Sequence, residues 1–331
     1  MKRWLTLLAA LALATPVLAA KTTTPYTYTR VGNPNDVATS MQGGVALMGG
    51  AVDVNTAFQW MCGRSGGGDF LILTFNGTNE YNAYVQGLCP GLNSVATLII
   101  PSQKAALDPA VEAIINKAEA IFIGGGDQSN YISYWANTGV QRALNARITA
   151  RAPVGGISAG LAVLTQFVYS ALGSKGITSS QALANPYNRY LTLARDFVTV
   201  PYLEGTIGDT HFSARDRMGR DLAFLCRLYK NGWVTTVARG IAVDEATALV
   251  VDELGTGTVH GTGHVYFEEA TQPAEICESG QPLTYHNVSV HRVGQGGSFD
   301  LGRWMGREGV DYEVTAEAGV MGSSQADGVL Y

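Results

Sequence analysis

Charge is scarce in this chain: only 15% of its 331 residues are Asp, Glu, Lys or Arg, and the formal net charge is −5. A thinly charged, net acidic surface argues against nucleic acid or an anionic membrane as a partner, because both call for a basic face. Cysteine is sparse as well. Cys62, Cys89, Cys226 and Cys277 never fall into C-x-x-C spacing, which argues against a zinc site built on thiolate pairs. Beyond residue 20 no run approaches the ~18 consecutive apolar residues that a spanning helix needs. There is no internal repeat, no linker-like stretch and no lysine placed to complete a P-loop. Only five histidines are available to serve as a base.

The first twenty residues have a separate character. Lys2 and Arg3 precede an apolar run over residues 4–14, and Val17-Leu18-Ala19-Ala20 forms a small-residue cleavage site. This is the layout of a secretory signal peptide, so the expectation is an exported, soluble protein, periplasmic or secreted. Loss of Lys2 and Arg3 would take the formal charge from −5 to −7. In an exported protein four cysteines permit two disulfides in three pairings, and four buried thiols are an equal alternative.

Residues 21–42 are rich in Thr, Tyr and Asn without clear periodicity and read as an extended N-terminal segment. From residue 43 to the C-terminus a single α/β domain is expected. Gly44-Val45-Ala46-Leu47-Met48 is a short buried-strand run closed by Gly49-Gly50, and residues 54–62 have helical spacing. Strand runs at 70–75, 95–100 and 120–123 alternate with helical patterns at 109–118, where Asp108 precedes Pro109 as a cap, and at 130–150. Such alternation predicts a mostly parallel sheet with helices on both faces, and ligands at the carboxyl ends of its strands. After residue 238 short apolar strands predict antiparallel additions that extend the same sheet.

Gly156-Ile157-Ser158-Ala159-Gly160 lies between an apolar run at 152–154 and a helical pattern at 161–172. In a strand–turn–helix context G-x-S-x-G is a nucleophile elbow, and the N–H after the serine, on Ala159, helps hold an oxyanion. A serine nucleophile needs a base and an orienting acid. His211, in a loop before a helical pattern at 213–229, is the best placed base. Asp209 stands too near it in sequence to fold back on its ring. Glu245, at the end of an apolar strand, is the candidate acid, or else a turn carboxylate without consequence. His260 and His264 are separated by glycines that argue against a metal pair, and His286 and His291 read as surface groups. Arg215, Arg217 and Arg220 follow His211 closely; they fit either bidentate capture of an acidic substrate group or a solvated face paired with Asp216 and Asp221. Gly124-Gly125-Gly126-Asp127-Gln128 reads poorly as a nucleotide finger and better as an oxyanion loop, with Gln128 able to touch substrate.

Three of these segments together resemble the cyanophycinase-like branch of the serine peptidases that also contains the aspartyl dipeptidases. They are G-G-D-Q at Gly125 to Gln128, G-x-S-A-G around Ser158, and D-x-H-F-x-x-R-x-R-x-G-R from Asp209 through His211 to Arg220; the D-E-x-T-A segment from Asp244 also fits. The resemblance runs over about residues 43–251. It implies a three-layer α/β/α fold like that of the class I glutamine amidotransferases. It implies Ser158 as nucleophile, His211 as base, Glu245 as acid, and Gly125 and Ala159 as oxyanion donors. Gln128, Asp209, Arg215 and Arg217 would then bind a β-aspartyl-arginine unit, with neither metal nor cofactor. The implied substrate is an aspartyl or isoaspartyl peptide, above all cyanophycin (multi-arginyl-polyaspartate), and a homodimer is compatible with it. Thr210 stands where cyanophycinases often carry Gln. Three other functions compete on sequence: an aspartyl dipeptidase acting on small peptides, a non-catalytic binder of acidic peptides, and a nucleotide-binding enzyme using Gly124 to Gly126.

Overall fold

The computed structural model describes residues 24–331; the expected signal segment lies outside these residues. The first half of the chain builds one sheet from β1 (Thr27–Gly32), β2 (Gly44–Met48), β3 (Asp69–Thr74), β4 (Ser94–Ile99), β5 (Ala120–Ile123) and β6 (Val154–Ile157). Their spatial order is β1-β4-β3-β5-β6-β2, and all except β1 run parallel. The interior strands are buried almost from end to end, with apolar centres, because both faces are covered. On one face, helix Asn55–Arg64 contributes Phe58 and Met61 to a core with Ile72 and Phe122. On the other, Val111, Tyr131, Trp135 and Leu144 pack against Leu71, Leu73 and Ile121. The α/β/α sandwich expected from the strand–helix alternation is present.

Several local expectations change. Residues 27–32 are not a free lead-in: β1 pairs antiparallel with β4, Thr27 opposite Ile99 through Gly32 opposite Ser94. The helical pattern at 161–172 yields only the turn Ala159–Ala162 before strand β7 (Phe167–Tyr169), because the chain leaves the first sheet there to join a second. The pattern at 130–150 is two helices, Gln128–Trp135 and Gly139–Thr149, broken at Asn137, whose φ is 60°.

The expected extension of a single sheet is the largest correction. After residue 238 the strands divide between two sheets. Thr247–Asp252 pairs antiparallel with β2 and continues the first sheet. Ala238–Val243 instead lies parallel to Thr206–Asp209 in a second, eight-stranded sheet, which continues beyond it through Val265–Ala270 and Tyr285–Val293. Ile241, Val243, Val265 and Phe267 of the second sheet meet Leu249, Val251 and Val259 of the first in one apolar cluster. Helix Met218–Lys230 covers the far face of the second sheet through Leu222, Leu225 and Leu228. The division has a physical reason: strands buried on both faces need a second layer, and a single flat extension would have left one face wet.

Two disulfides, Cys62–Cys89 and Cys226–Cys277, resolve the choice between bridges and free thiols. Among the described residues no helix is long and apolar enough to cross a membrane.

Candidate active site

Four loops meet at the carboxyl edge of the parallel strands: Gly49-Gly50 after β2, Gly124 to Gly126 after β5, the serine turn after β6, and the loop after Thr206–Asp209. Ser158 has φ 53° and ψ −116°, a conformation that non-glycine residues rarely hold. The neighbouring glycines make it attainable. A Cβ on Gly160 would lie 2.1 Å from the Ile123 carbonyl oxygen, and one on Gly156 would lie 2.4 Å from the Gly160 carbonyl carbon. The Ser158 N–H is anchored by the Met48 carbonyl at 2.9 Å. The hydroxyl therefore stands above the sheet edge, as the motif requires.

His211 and Glu245 arrive from the second sheet. Thr206–Asp209 and Ala238–Val243 are parallel neighbours with Asp209 opposite Ala242, so the residues just past their ends fall side by side. The Ser158 hydroxyl donates to His211 Nε2 at 2.8 Å, and Nδ1–H donates to Glu245 Oε1 at 2.6 Å. The three side chains drawn from distant parts of the sequence do meet. Their support is a lattice of main-chain bonds around Gly49-Gly50: His211 N–H to the Gly49 carbonyl at 2.9 Å, and Ala246 N–H to the Gly50 carbonyl at 3.0 Å. Gly50 itself lies flat beneath the imidazole, where a Cβ would come within 2.4 Å of the ring. Asp244 ties the same corner, accepting from Ser213 N–H at 2.9 Å and His264 N–H at 3.0 Å. Sequence reading missed Gly50 and Asp244, although the glycine pair closing β2 was a visible signal.

Burial lowers the His211 pKa most, Arg215 and Arg217 lower it further, and the bond to Glu245 opposes them. The balance keeps the imidazole neutral, hence able to accept a proton, to lower pH than a free histidine. Among the described residues, the N–H groups of Gly125 and Ala159 have no acceptor. Gly125 runs alongside the serine, its Cβ position 3.7 Å from that of Ser158. Two unpaired donors beside a nucleophile are what a developing oxyanion needs.

On one side of Ser158 opens a cavity of about 230 Å³ lined by Gln128, Tyr169, Lys175, Arg215, Arg217 and Arg220. Asp127 caps the helix that carries Gln128, and Gln128 donates to the Tyr169 carbonyl at 3.2 Å. Asp209 does not line this cavity. Its carboxylate is buried beneath it, bound by Arg220 through Nε at 2.6 Å and a second nitrogen, and by Arg217 at 3.2 Å. Arg220 also stacks over Tyr169. The arginines are thus held as an organised cationic wall rather than a solvated face, and only Arg215 stays half-exposed. Asp216 turns outward to the Tyr331 hydroxyl. Among the described residues no cluster of His, Cys, Asp and Glu could hold a metal ion, and neither His260 nor His264 lines the cavity.

The sequence profile of peptidase family S51 matches residues 79–201, a stretch that contains Gln128 and Ser158. The chain is 27% identical over 216 residues to a cyanophycinase of a Nostoc species, covering 64% of this chain and 66% of that protein, just under two thirds. It is 24% identical over 277 residues to a cyanophycinase of Thermosynechococcus vestitus, covering 78% and 80%. Among solved structures, a peptidase from an acI-B1 Actinobacterium shares the fold with a TM-score of 0.51 at 16% identity, over 79% of this chain and 98% of that one.

Proposed function

We propose, because this chain belongs to peptidase family S51 and is distantly related to the cyanophycinases, that it is an exported serine hydrolase cleaving aspartyl or isoaspartyl peptide bonds, with cyanophycin as its polymer substrate. The observation that carries this reading is the unbroken chain of short contacts from Ser158 through His211 to Glu245, set against a guanidinium-lined cavity. The free carboxylate of the β-aspartyl-arginine unit, which is the arginine α-carboxylate because both aspartyl carboxyls are amide-bonded, enters that cavity and meets Arg215 and Arg217, with Gln128 at its side. This aligns the scissile carbonyl over Ser158.

The hydroxyl attacks the carbonyl carbon as its proton passes to His211 Nε2. Glu245 holds the Nδ1–H tautomer and stabilises the imidazolium. The carbonyl oxygen takes the negative charge and is received by the N–H groups of Gly125 and Ala159. Collapse breaks the C–N bond, and His211 returns the proton to the departing amine. Water, activated by the same imidazole, then releases the acyl group. Every group in the sequence is supplied by this chain. Asp209 acts through the arginines, fixing their orientation without touching substrate.

The two bridges and the N-terminal signal pattern support export, since thiols are oxidised outside the cytoplasm. The test is hydrolysis of insoluble cyanophycin with product identification. Release of β-aspartyl-arginine is expected, and Ser158→Ala should lower kcat by several orders of magnitude while leaving the fold intact. Full activity in that variant would overturn the mechanism. Cleavage of Asp-X dipeptides in place of the polymer would move the substrate to small peptides.

A further inference from the structure

The glycine loop beside Ser158 separates two cavities of opposite character. Gly126, Asp127 and Gln128 border the arginine-lined one. Gly124 and Gly125 border a second of about 790 Å³, whose other walls include Asp53, Asn55, Glu80, Tyr81 and Tyr84. Ala51 also lines it, directly after the Gly50 that supports the His211 ring. The second cavity therefore begins at the oxyanion loop, on the side of the nucleophile away from the arginines.

Its chemistry is acidic and aromatic. Tyr81 donates to Asp53 Oδ1 at 3.0 Å, and the Tyr84 hydroxyl is bound to the Asn55 side chain, so both rings are held in place. Among the described residues neither Asp53 nor Glu80 has a cationic partner within ion-pair distance. Burial pushes the Asp53 carboxyl up, the mark of a carboxylate left without counter-charge. A cation would supply that charge and lie against the tyrosine faces.

We infer that this second cavity is a specificity subsite for a cationic side chain, guanidinium or ammonium, on the amine side of the scissile bond, with Asp53 as counter-ion and Tyr81 and Tyr84 as its aromatic walls. The inference rests on the aspartyl-peptidase reading. It adds that the substrate is recognised by opposite charges at once: an anion on one side of Ser158 and a cation on the other.

Two aspartyl peptides differing only in arginine or citrulline directly after the scissile bond test it, because citrulline keeps the shape and removes the charge. In the wild-type enzyme kcat/KM should favour arginine by roughly tenfold to a hundredfold, the range of a hydrogen-bonded charge, and the preference should shrink with salt. Asp53→Asn should bring the ratio toward one. Glu80→Gln, an exposed change that leaves the Asp53–Tyr81 bond intact, should reduce it by a smaller factor. A ratio measured within one preparation is insensitive to partial misfolding. Equal rates for the two peptides in wild type, or a preference undiminished in both variants, would overturn the subsite. Cleavage of neither peptide would overturn the aspartyl-peptidase reading itself, and the subsite with it.

Discussion

At the scale of single residues, the site is governed by what lies within a few ångströms of one imidazole. His211 is nearly buried, faces two guanidiniums and leans on a carboxylate that is itself part-exposed. The cations and the burial favour the neutral ring, so the acid limb of kcat/KM should fall below the ordinary histidine value of ~6.5. Arg215 is the exposed contributor and stands 3.9 Å from Glu245. Arg215→Gln removes a cation from His211 and leaves Glu245 freer to stabilise the imidazolium. Both effects raise the histidine pKa, so the acid limb should move to higher pH, whatever happens to affinity. A limb that stays put, or moves down, would show that Arg215 does not tune the base. The local parts of this arrangement were legible early. Ser158 announced itself because its glycines are demanded by backbone clashes within its own turn. Glu245 did not, because a carboxylate in a turn looks the same whether it holds a histidine or faces water.

At the scale of elements, the strand pair Thr206–Asp209 and Ala238–Val243 and the helix Met218–Lys230 enclose a buried acidic group of three. Asp209 is held below the ordinary carboxylate range by Arg220 and Arg217. Asp221 and Glu268 are buried beside it, and among the described residues no N–H or hydroxyl group donates to their carboxylate oxygens. Glu268 lies opposite Gly240 in the strand register, and the missing side chain there gives its carboxyl room. Burial and the nearby Asp209 charge push Glu268 up to about 8. Its folded-state pKa is therefore above the unfolded value of ~4.3. The folded state holds a proton that the unfolded chain releases, so stability is full below the unfolded value and declines as pH rises toward the folded one. Melting temperature should fall more steeply between about pH 5 and 8 in the wild type than in Glu268→Gln, since the amide cannot titrate. Parallel curves for the two proteins would refute a titrating Glu268. Nothing in the sequence pattern pointed to this group, because acidic residues in a strand and a helix are normally read as solvent-facing.

At the scale of the whole molecule, two sheets share a core and are pinned at separate places. Cys62–Cys89 joins the ends of two helices over the first sheet, and Cys226–Cys277 ties helix Met218–Lys230 to the segment ahead of Tyr285–Val293. Closing loops of 27 and 51 residues restricts the unfolded chain by about 3.5–4 kcal/mol each in the chain-entropy account. Refolding under reducing conditions should therefore lower the melting temperature by several degrees. The Cys226–Cys277 half of the loss should also weaken activity, because that helix carries Arg220 and begins beside Arg217. Replacing each pair separately by serine and measuring melting and turnover distinguishes the two. Equal melting of oxidised and reduced protein would show that the bridges are incidental to stability.

What the sequence alone determined is local. Buried parallel strands show as unbroken apolar runs, a capped helix start shows at Asp108-Pro109, and a strained serine turn shows as two glycines flanking one hydroxyl. Each is a consequence of backbone sterics or of burial acting over a few residues. The second sheet, the pairing of β1, the disulfide partners, the meeting of Glu245 with His211 and the acidic cavity beyond Gly125 were decided only in three dimensions. They depend on which strands lie beside one another. That choice is made by hydrogen bonds and apolar contacts between segments far apart in the chain, and no periodicity within a single segment records it.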